Sequence, residues 1–256
     1  MKAMILAAGF GTRLRPLTDT RPKALVELRG RPILSWIIAR LNRQGFTDVI
    51  VNAHHFSEQI IAFADRFNAA PPYPSARLTV SYEETLLDTG GGLKKASWFF
   101  DDGEPFLVHT ADVVSDLDLN ALMRSHRTSN AMVTIAIKKR PGSRFFMFDD
   151  EMQLCGWKSD ITGETRIVRG GTGPLQPFPS MAVEIISPEI FTRWNGRERF
   201  SLTDAVLDLA ASGDAIYGYH AQEVHWMDIG RLADFQRASD YFGDAYFEAL
   251  QGEAVS

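Results

Sequence analysis

The residues of this chain best suited to polyanion chemistry lie near its amino terminus, in MKAMILAAGFGTRLRPLT and RPKALVEL. Gly9 and Gly11 bracket Phe10, Arg13 follows two residues later, and Lys23 stands directly after Pro22. A glycine-rich turn at the end of an apolar run exposes backbone N–H groups that form a nest for a phosphate. Arg13 adds a bidentate donor, and Pro22 restrains the backbone ahead of Lys23. Two familiar phosphate-loop patterns fail here. A P-loop separates its glycines by four residues and continues Gly-Lys-Ser/Thr, whereas only Phe10 separates these two. The dinucleotide fingerprint needs a third glycine where Leu14 stands. The turn is therefore neither a P-loop nor a dinucleotide loop.

The whole chain narrows the alternatives. Its 256 residues carry a formal net charge of -5, so no global basic field draws nucleic acid, and positive charge for a phosphate must be gathered locally. The one cysteine, Cys155, excludes an intramolecular disulfide and any multi-cysteine zinc site, and reads as a core thiol. His54, His55 and His109 lack the spacing of a zinc site. The apolar start is too short for a signal sequence and breaks at glycine, and no run approaches the roughly 20 apolar residues of a membrane span. A cytoplasmic protein with no membrane partner is expected.

Alternating strand and helix patterns must position these residues. Ala3–Ala8, Asp48–Asn52, Leu78–Tyr82, Phe106–His109 and Met132–Lys138 read as short buried strands. Between them, helices are expected from Pro32 to Gly45, after a Ser57 cap, from Gly92 to near Phe100, and over Leu117–Ser129. This rhythm implies an α/β fold with a mostly parallel sheet and helices on both faces. Beyond Arg140, strand-like pieces (Phe145–Phe148, Met152–Trp157, Ala182–Ile186) alternate with Gly/Pro-rich loops. A helix opening at Ser201, a strand at Ile216–His220 and a last helix from about Arg231 to Phe242 follow, and the tail after Gly243 carries no strong structural demand.

LAAGFGTRLRPLT followed by RPKALVEL resembles the signature of sugar-1-phosphate nucleotidyltransferases, short single-domain members included. LLDTGGGLKKA, FLVHTADVVSD and VHWMDIGRLADF are similar to later elements of the same family, in the same order. The resemblance implies a Rossmann-like GT-A type fold, a mixed, mostly parallel central sheet flanked by helices. It implies one domain over 1–243, with a nucleotide part to about 140, a sugar-phosphate part over about 141–230, and a tail over 244–256. Two members of similar form are the N-acetylmuramate-1-phosphate uridylyltransferase and mannose-1-phosphate guanylyltransferase types.

That family joins a nucleoside triphosphate to a sugar 1-phosphate and releases pyrophosphate. The resemblance puts Arg13 on the triphosphate and Lys23 near the attacking and α-phosphates, as the catalytic pair. It puts the nucleotide on Leu6, Ala7, Ala8, Gly9, Gly11, Thr12 and Arg13, and on Glu83, Thr89, Gly90 and Gly91. Strand alternation leaves open whether Glu83 or Glu84 points inward. Asp112 and Asp228 become the ligands of Mg2+, a hard cation suited to carboxylates and substrate phosphates. Helix capping is the competing reading of both, and Asp116 and Asp118 read as cap or solvent residues. No nucleophilic side chain is required, so neither Cys155 nor Ser201 is assigned that role.

The sugar side departs from the family pattern. Trp157-Lys158 stands where a Glu-Lys pair is common, and Ala182 replaces a frequent glycine. Lys23, Lys158 and Glu184 are the sugar-phosphate candidates. The expected activity is uridylyl transfer to an N-acetylmuramate 1-phosphate-like acceptor, in nucleotide-sugar synthesis for a cell wall. Guanylyl transfer to mannose or heptose 1-phosphate is the alternative, and choline-phosphate cytidylyl transfer uses the same fold. A catalytically silent, nucleotide-sensing homologue is the rival of another class. Homo-oligomerisation stays open, since Trp98-Phe99-Phe100 suits either a core or an interface.

Overall fold

The computed structural model describes residues 1–73 and 75–251. They form two compact units, neither of them one continuous stretch of chain. The first holds Met1–Leu87, His109–Asp116 and the described residues from His225 onward, and the second holds Asp88–Val108 and Leu117–Val224.

In the first unit the fully buried Ala3-Met4-Ile5 run forms the strand Lys2–Leu6. It pairs in parallel with Asp48–Ala53, which pairs in parallel with Arg77–Tyr82. Parallel pairing puts the carboxyl ends of all three strands on one edge, where open α/β sheets bind ligands. Helix Ile33–Arg43 buries Leu34, Trp36, Ile37, Ile38 and Leu41. Pro32 precedes its first turn, and Gly45, at φ 83°, follows its end. Helix Ser57–Ala69 differs slightly from expectation: Phe56, in left-handed conformation, takes the cap position, and no side-chain cap forms. The last helix, Leu232–Gln251, breaks at Gly243 (φ 70°, ψ 172°) and then continues. Phe247 and Leu250 are buried, and Phe247 packs edge-on against Trp36 at 5.0 Å. Tyr246 donates its hydroxyl to Ser115 O at 3.0 Å. Residues 244–251 thus pack into the first unit, because their apolar positions recur at helical spacing beyond the glycine.

In the second unit Val133–Ile137 pairs in parallel with Ile216–His220 and antiparallel with Ser180–Ile186. A four-stranded antiparallel sheet stands in the order Thr165–Ile167, Leu154–Ser159, Arg144–Phe148, Gln176–Phe178. Its two outer strands are three residues each, too short for an alternation pattern to announce them. Asp118 caps helix Leu119–Ser129 by accepting from Ala121 N, and Ser201 caps helix Leu202–Ala211 by accepting from Asp204 N. The helix expected from Gly92 begins earlier, at Asp88, so all three glycines lie inside it. Trp98 is exposed while Phe100 is buried.

The fold class is α/β as expected, with mixed, mostly parallel main-sheet strands flanked by helices. Among the described residues no helix is long and apolar enough to cross a membrane.

Candidate active site

The first unit gathers four charged residues from three stretches of chain. The loop after strand Lys2–Leu6 turns at Gly11 (φ 66°) into a short 3-10 helix that carries Arg13. A side chain at Gly11 would be strained in conformation and would crowd Thr18 and Lys23. Buried Thr18 donates its hydroxyl to Gly11 O at 2.9 Å and fixes the turn. Pro22, extended at φ -67° and ψ 149°, then starts the 3-10 helix Lys23–Leu25 with Lys23 as its first residue.

The carboxylates come from a two-stranded antiparallel ribbon, Val113–Ser115 against Trp226–Asp228. Ile229 N donates to Asp112 O at 2.8 Å, which ties the residue after Asp228 to Asp112 itself. At the other end of the ribbon Asp116 accepts from His225 N at 2.8 Å, and its other oxygen lies 2.7 Å from His225 Nδ1. Asp116 is therefore a brace of the ribbon, a role that spacing along the chain does not reveal.

Lys23 Nζ donates to Asp112 Oδ2 at 2.5 Å. Arg13 lies 3.8 Å from Asp112 and 3.9 Å from Asp228, so both carboxylates face one guanidinium. Burial alone would raise the Asp112 carboxyl, but the Lys23 ammonium, with Arg13 behind it, holds it below the usual carboxylate value. Gly230 completes the cluster. A Cβ there would stand 2.5 Å from Lys23 Nζ, 2.7 Å from Asp228 Oδ1 and 3.0 Å from an Arg13 guanidinium nitrogen. The absence of a side chain at Gly230 leaves the room in which the four charged groups meet. The Asp-Ile-Gly spacing was the only signal for it in the sequence.

Two carboxylates with hard oxygen donors suit magnesium, which takes one or two carboxylates and completes its shell with water and substrate phosphates. Among the described residues no group of three or more His, Cys, Asp or Glu converges, so the donor set fits that mode of binding and not an all-protein cage.

The other candidates fall in different surroundings. Ala7 and Ala8 are buried, while Gly9, Thr12 and Arg13 are exposed and Leu6 is half-buried. Of the two glutamates after strand Arg77–Tyr82, Glu83 is fully buried and Glu84 is exposed. His54 Nδ1 donates to Glu83 O at 2.9 Å, since a carbonyl oxygen only accepts.

In the second unit Gly90 and Gly91 donate their N–H groups to Phe200 O at 2.9 and 3.1 Å. A Cβ at Gly90 would stand 2.4 Å from the Phe200 ring. Thr89 Oγ1 accepts from Leu202 N at 2.8 Å. These residues thus support close packing of helix Asp88–Lys95 on the Phe200–Leu202 segment.

Lys158 stands beside Phe145 and Thr165 in the four-stranded sheet, its ammonium 4.8 Å over the Phe145 ring and 3.3 Å from Asp160. Trp157 points to the opposite face with Phe146 and Arg166, whose guanidinium covers it at 5.0 Å. Ala182 adopts φ 56°, a left-handed conformation that glycine takes more readily than alanine. Glu184 is buried, its Oε2 has no hydrogen-bond partner among the described residues, and burial pushes its carboxyl up to about 7.

Fold and cluster together define an α/β protein with a centre of two cations and two carboxylates. Residues 2–146 match the model of the nucleotidyl transferase family. The chain is 30% identical over 253 residues to the N-acetylmuramate alpha-1-phosphate uridylyltransferase of Neisseria meningitidis, covering 95% of this chain and 99% of that one. It is 29% identical to the UTP--glucose-1-phosphate uridylyltransferase of Synechocystis, over 93% of this chain and 62% of that one. It is 36% identical to the mannose-1-phosphate guanyltransferase of Debaryomyces hansenii, over 92% of this chain and 62% of that one. The chain thus spans the Neisseria protein and under two thirds of the other two. Among solved structures, a putative glucose-1-phosphate thymidylyltransferase from Bacillus anthracis has the same fold, with a TM-score of 0.78 at 14% identity, over 96% of this chain and 99% of that one. The chain belongs to the sugar-1-phosphate nucleotidyltransferase family.

Proposed function

We propose that this protein transfers a nucleoside monophosphate from a nucleoside triphosphate to a sugar 1-phosphate and releases pyrophosphate. The observation that carries the reading is the meeting of Lys23, Arg13, Asp112 and Asp228 beside a glycine turn. Two polyanions must approach each other in this reaction, so its barrier is largely electrostatic. Lys23 and Arg13 supply cations in the cluster, and the exposed turn from Gly9 to Arg13 offers N–H groups for the triphosphate. Arg13, 54% exposed at its side chain, can swing onto the departing pyrophosphate. Lys23, held by Asp112, would stabilise the charge that develops as an oxygen attacks the α-phosphorus. Asp112 and Asp228 would hold Mg2+, which supplies charge neutralisation at the phosphates when bound. Leu6, Ala7, Ala8, Gly9, Gly11 and Thr12 would cradle the nucleotide. Lys158 and Glu184 are the candidates on the sugar side.

Uridylyl transfer to an N-acetylmuramate 1-phosphate-like acceptor is the favoured specific reaction, because the relative of that name matches over 99% of its length. Guanylyl transfer to mannose or heptose 1-phosphate is the second reading, supported by the 36% identity to a mannose-1-phosphate guanyltransferase. The deciding experiment measures pyrophosphate release from a panel of triphosphates crossed with sugar 1-phosphates, with and without magnesium. Release confined to UTP with N-acetylmuramate 1-phosphate supports the first, and release confined to GTP supports the second. Binding of nucleotide with no release from any pair overturns the transfer reading in favour of a silent sensor.

A further inference from the structure

Glu83 is fully buried, and each of its polar atoms is bonded within the first unit. Its N donates to Ala53 O at 2.8 Å, and its carbonyl accepts from His54 Nδ1 at 2.9 Å. Oε1 accepts from Asn52 Nδ2 at 2.7 Å, and Oε2 accepts from Leu87 N at 3.0 Å. Asn52, itself 3% exposed, uses its other amide atom to accept from Ala7 N at 2.6 Å. A continuous hydrogen-bonded chain therefore runs from the N–H of Ala7, at the start of the glycine turn, through buried Asn52 and Glu83 to the N–H of Leu87.

The directions within this chain are fixed by what each group can do. A backbone N–H only donates, so Asn52 must present oxygen to Ala7 and nitrogen to Glu83. Both ends of Glu83 meet donors, so an acceptor-only carboxylate is the group that satisfies them. Leaving one of these buried groups unmatched carries the full desolvation penalty of that group. Glu83 is 0% exposed, with both oxygens bonded to groups of its own fold, so it presents no open oxygen to a nucleobase.

We infer that Glu83 and Asn52 are positioning residues that lock the glycine turn to the segment 83–87, and that base selection does not run through Glu83. The activity arm of this inference rests on the proposed nucleotidyl transfer, while the amide-exchange arm below does not.

The network prescribes its own test. Asn52→Asp alone sets two carboxylates face to face, and Glu83→Gln alone turns an amide donor toward a second donor. The double exchange Asn52→Asp with Glu83→Gln restores every bond and reverses the polarity of the 52–83 bond alone. The carboxylate introduced at position 52 would accept from Ala7 N and from the amide introduced at position 83. The oxygen of that amide would accept from Leu87 N. The expected result in the full chain is a fall in kcat/KM of about tenfold or more in each single variant. That fall is equal for every triphosphate accepted, and the double variant recovers to within about threefold. Amide hydrogen exchange at Ala7 and Leu87 should be slow in the wild type and the double variant and fast in the singles. A base preference that changes with residue 83 whatever stands at 52, additive losses in the double variant, or unaltered exchange in the singles overturns the inference. If a single variant does not fold, the double variant decides: a folded protein with the wild-type order of triphosphates supports the lock, and a changed order or a failure to fold refutes it. A wild type that releases no pyrophosphate defeats the transfer reading and leaves the exchange result to judge the lock.

Discussion

Lys23 Nζ and Asp112 Oδ2 are 2.5 Å apart although 89 residues separate them in the chain. The bond joins a helix start set by Pro22 to the amino end of the ribbon that also carries Asp228. Each partner is only partly exposed, so solvent screens the pair less than it screens a surface ion pair. Asp112→Asn keeps an oxygen for Lys23 and removes the charge that a divalent cation would use. Turnover should fall by about 100-fold or more with little change in melting temperature. Steady-state kinetics over a magnesium titration check this, and wild-type turnover at saturating magnesium would sink the ligand role.

Gly230→Ala places a methyl group 2.5 Å from Lys23 Nζ and 3.0 Å from Arg13. Both neighbours are the far ends of flexible side chains, so they will move and the fold will survive. Activity should drop while the free energy of unfolding stays within about 1 kcal/mol of wild type. A variant with full activity would show that Lys23 and Arg13 need not hold these places.

Gly90→Ala acts on stability instead. Its Cβ would meet the Phe200 ring at 2.4 Å, and neither helix Asp88–Lys95 nor buried Phe200 has room to give. Overpacking of this kind costs about 1–3 kcal/mol. Chemical denaturation should report that loss, and Phe200→Leu in the same chain should relieve part of it.

Glu184 gives a pH signature. Burial raises its carboxyl from 4.5 to about 7, so between those values the folded chain keeps a proton that the unfolded chain has released. Stability from this group is complete below about 4.5 and is lost as pH rises through about 7. Glu184→Gln removes the titration. Relative to wild type, the variant should gain on the order of 3 kcal/mol between about pH 4 and about pH 8. Denaturation midpoints measured across that range check the sign, and parallel pH profiles for the two proteins would contradict it.

The strands Lys2–Leu6, Asp48–Ala53 and Arg77–Tyr82 and the caps at Asp118 and Ser201 were legible because they are local. Apolar runs, turn residues and caps act over a few positions, and the chain itself writes those spacings. The glycine turn, Arg13 and Lys23 were legible for the same reason. The ribbon strands Val113–Ser115 and Trp226–Asp228 were not, since three residues carry no period. The helix beyond Gly243 was hidden by a glycine that reads as a stop but here only bends the chain.

Residue types and spacing by themselves pointed to a glycine turn with an arginine and a lysine suited to a polyphosphate, and the family resemblance added the two aspartates. Tertiary structure alone decided that Lys23 meets Asp112, that Gly230 leaves them room, that Glu83 points inward while Glu84 does not, and that Gly90 accommodates Phe200. The physical reason is range. Burial and hydrogen-bond partnership depend on which distant segments the fold brings within about 3 Å of a group, and no spacing along the chain encodes that distance.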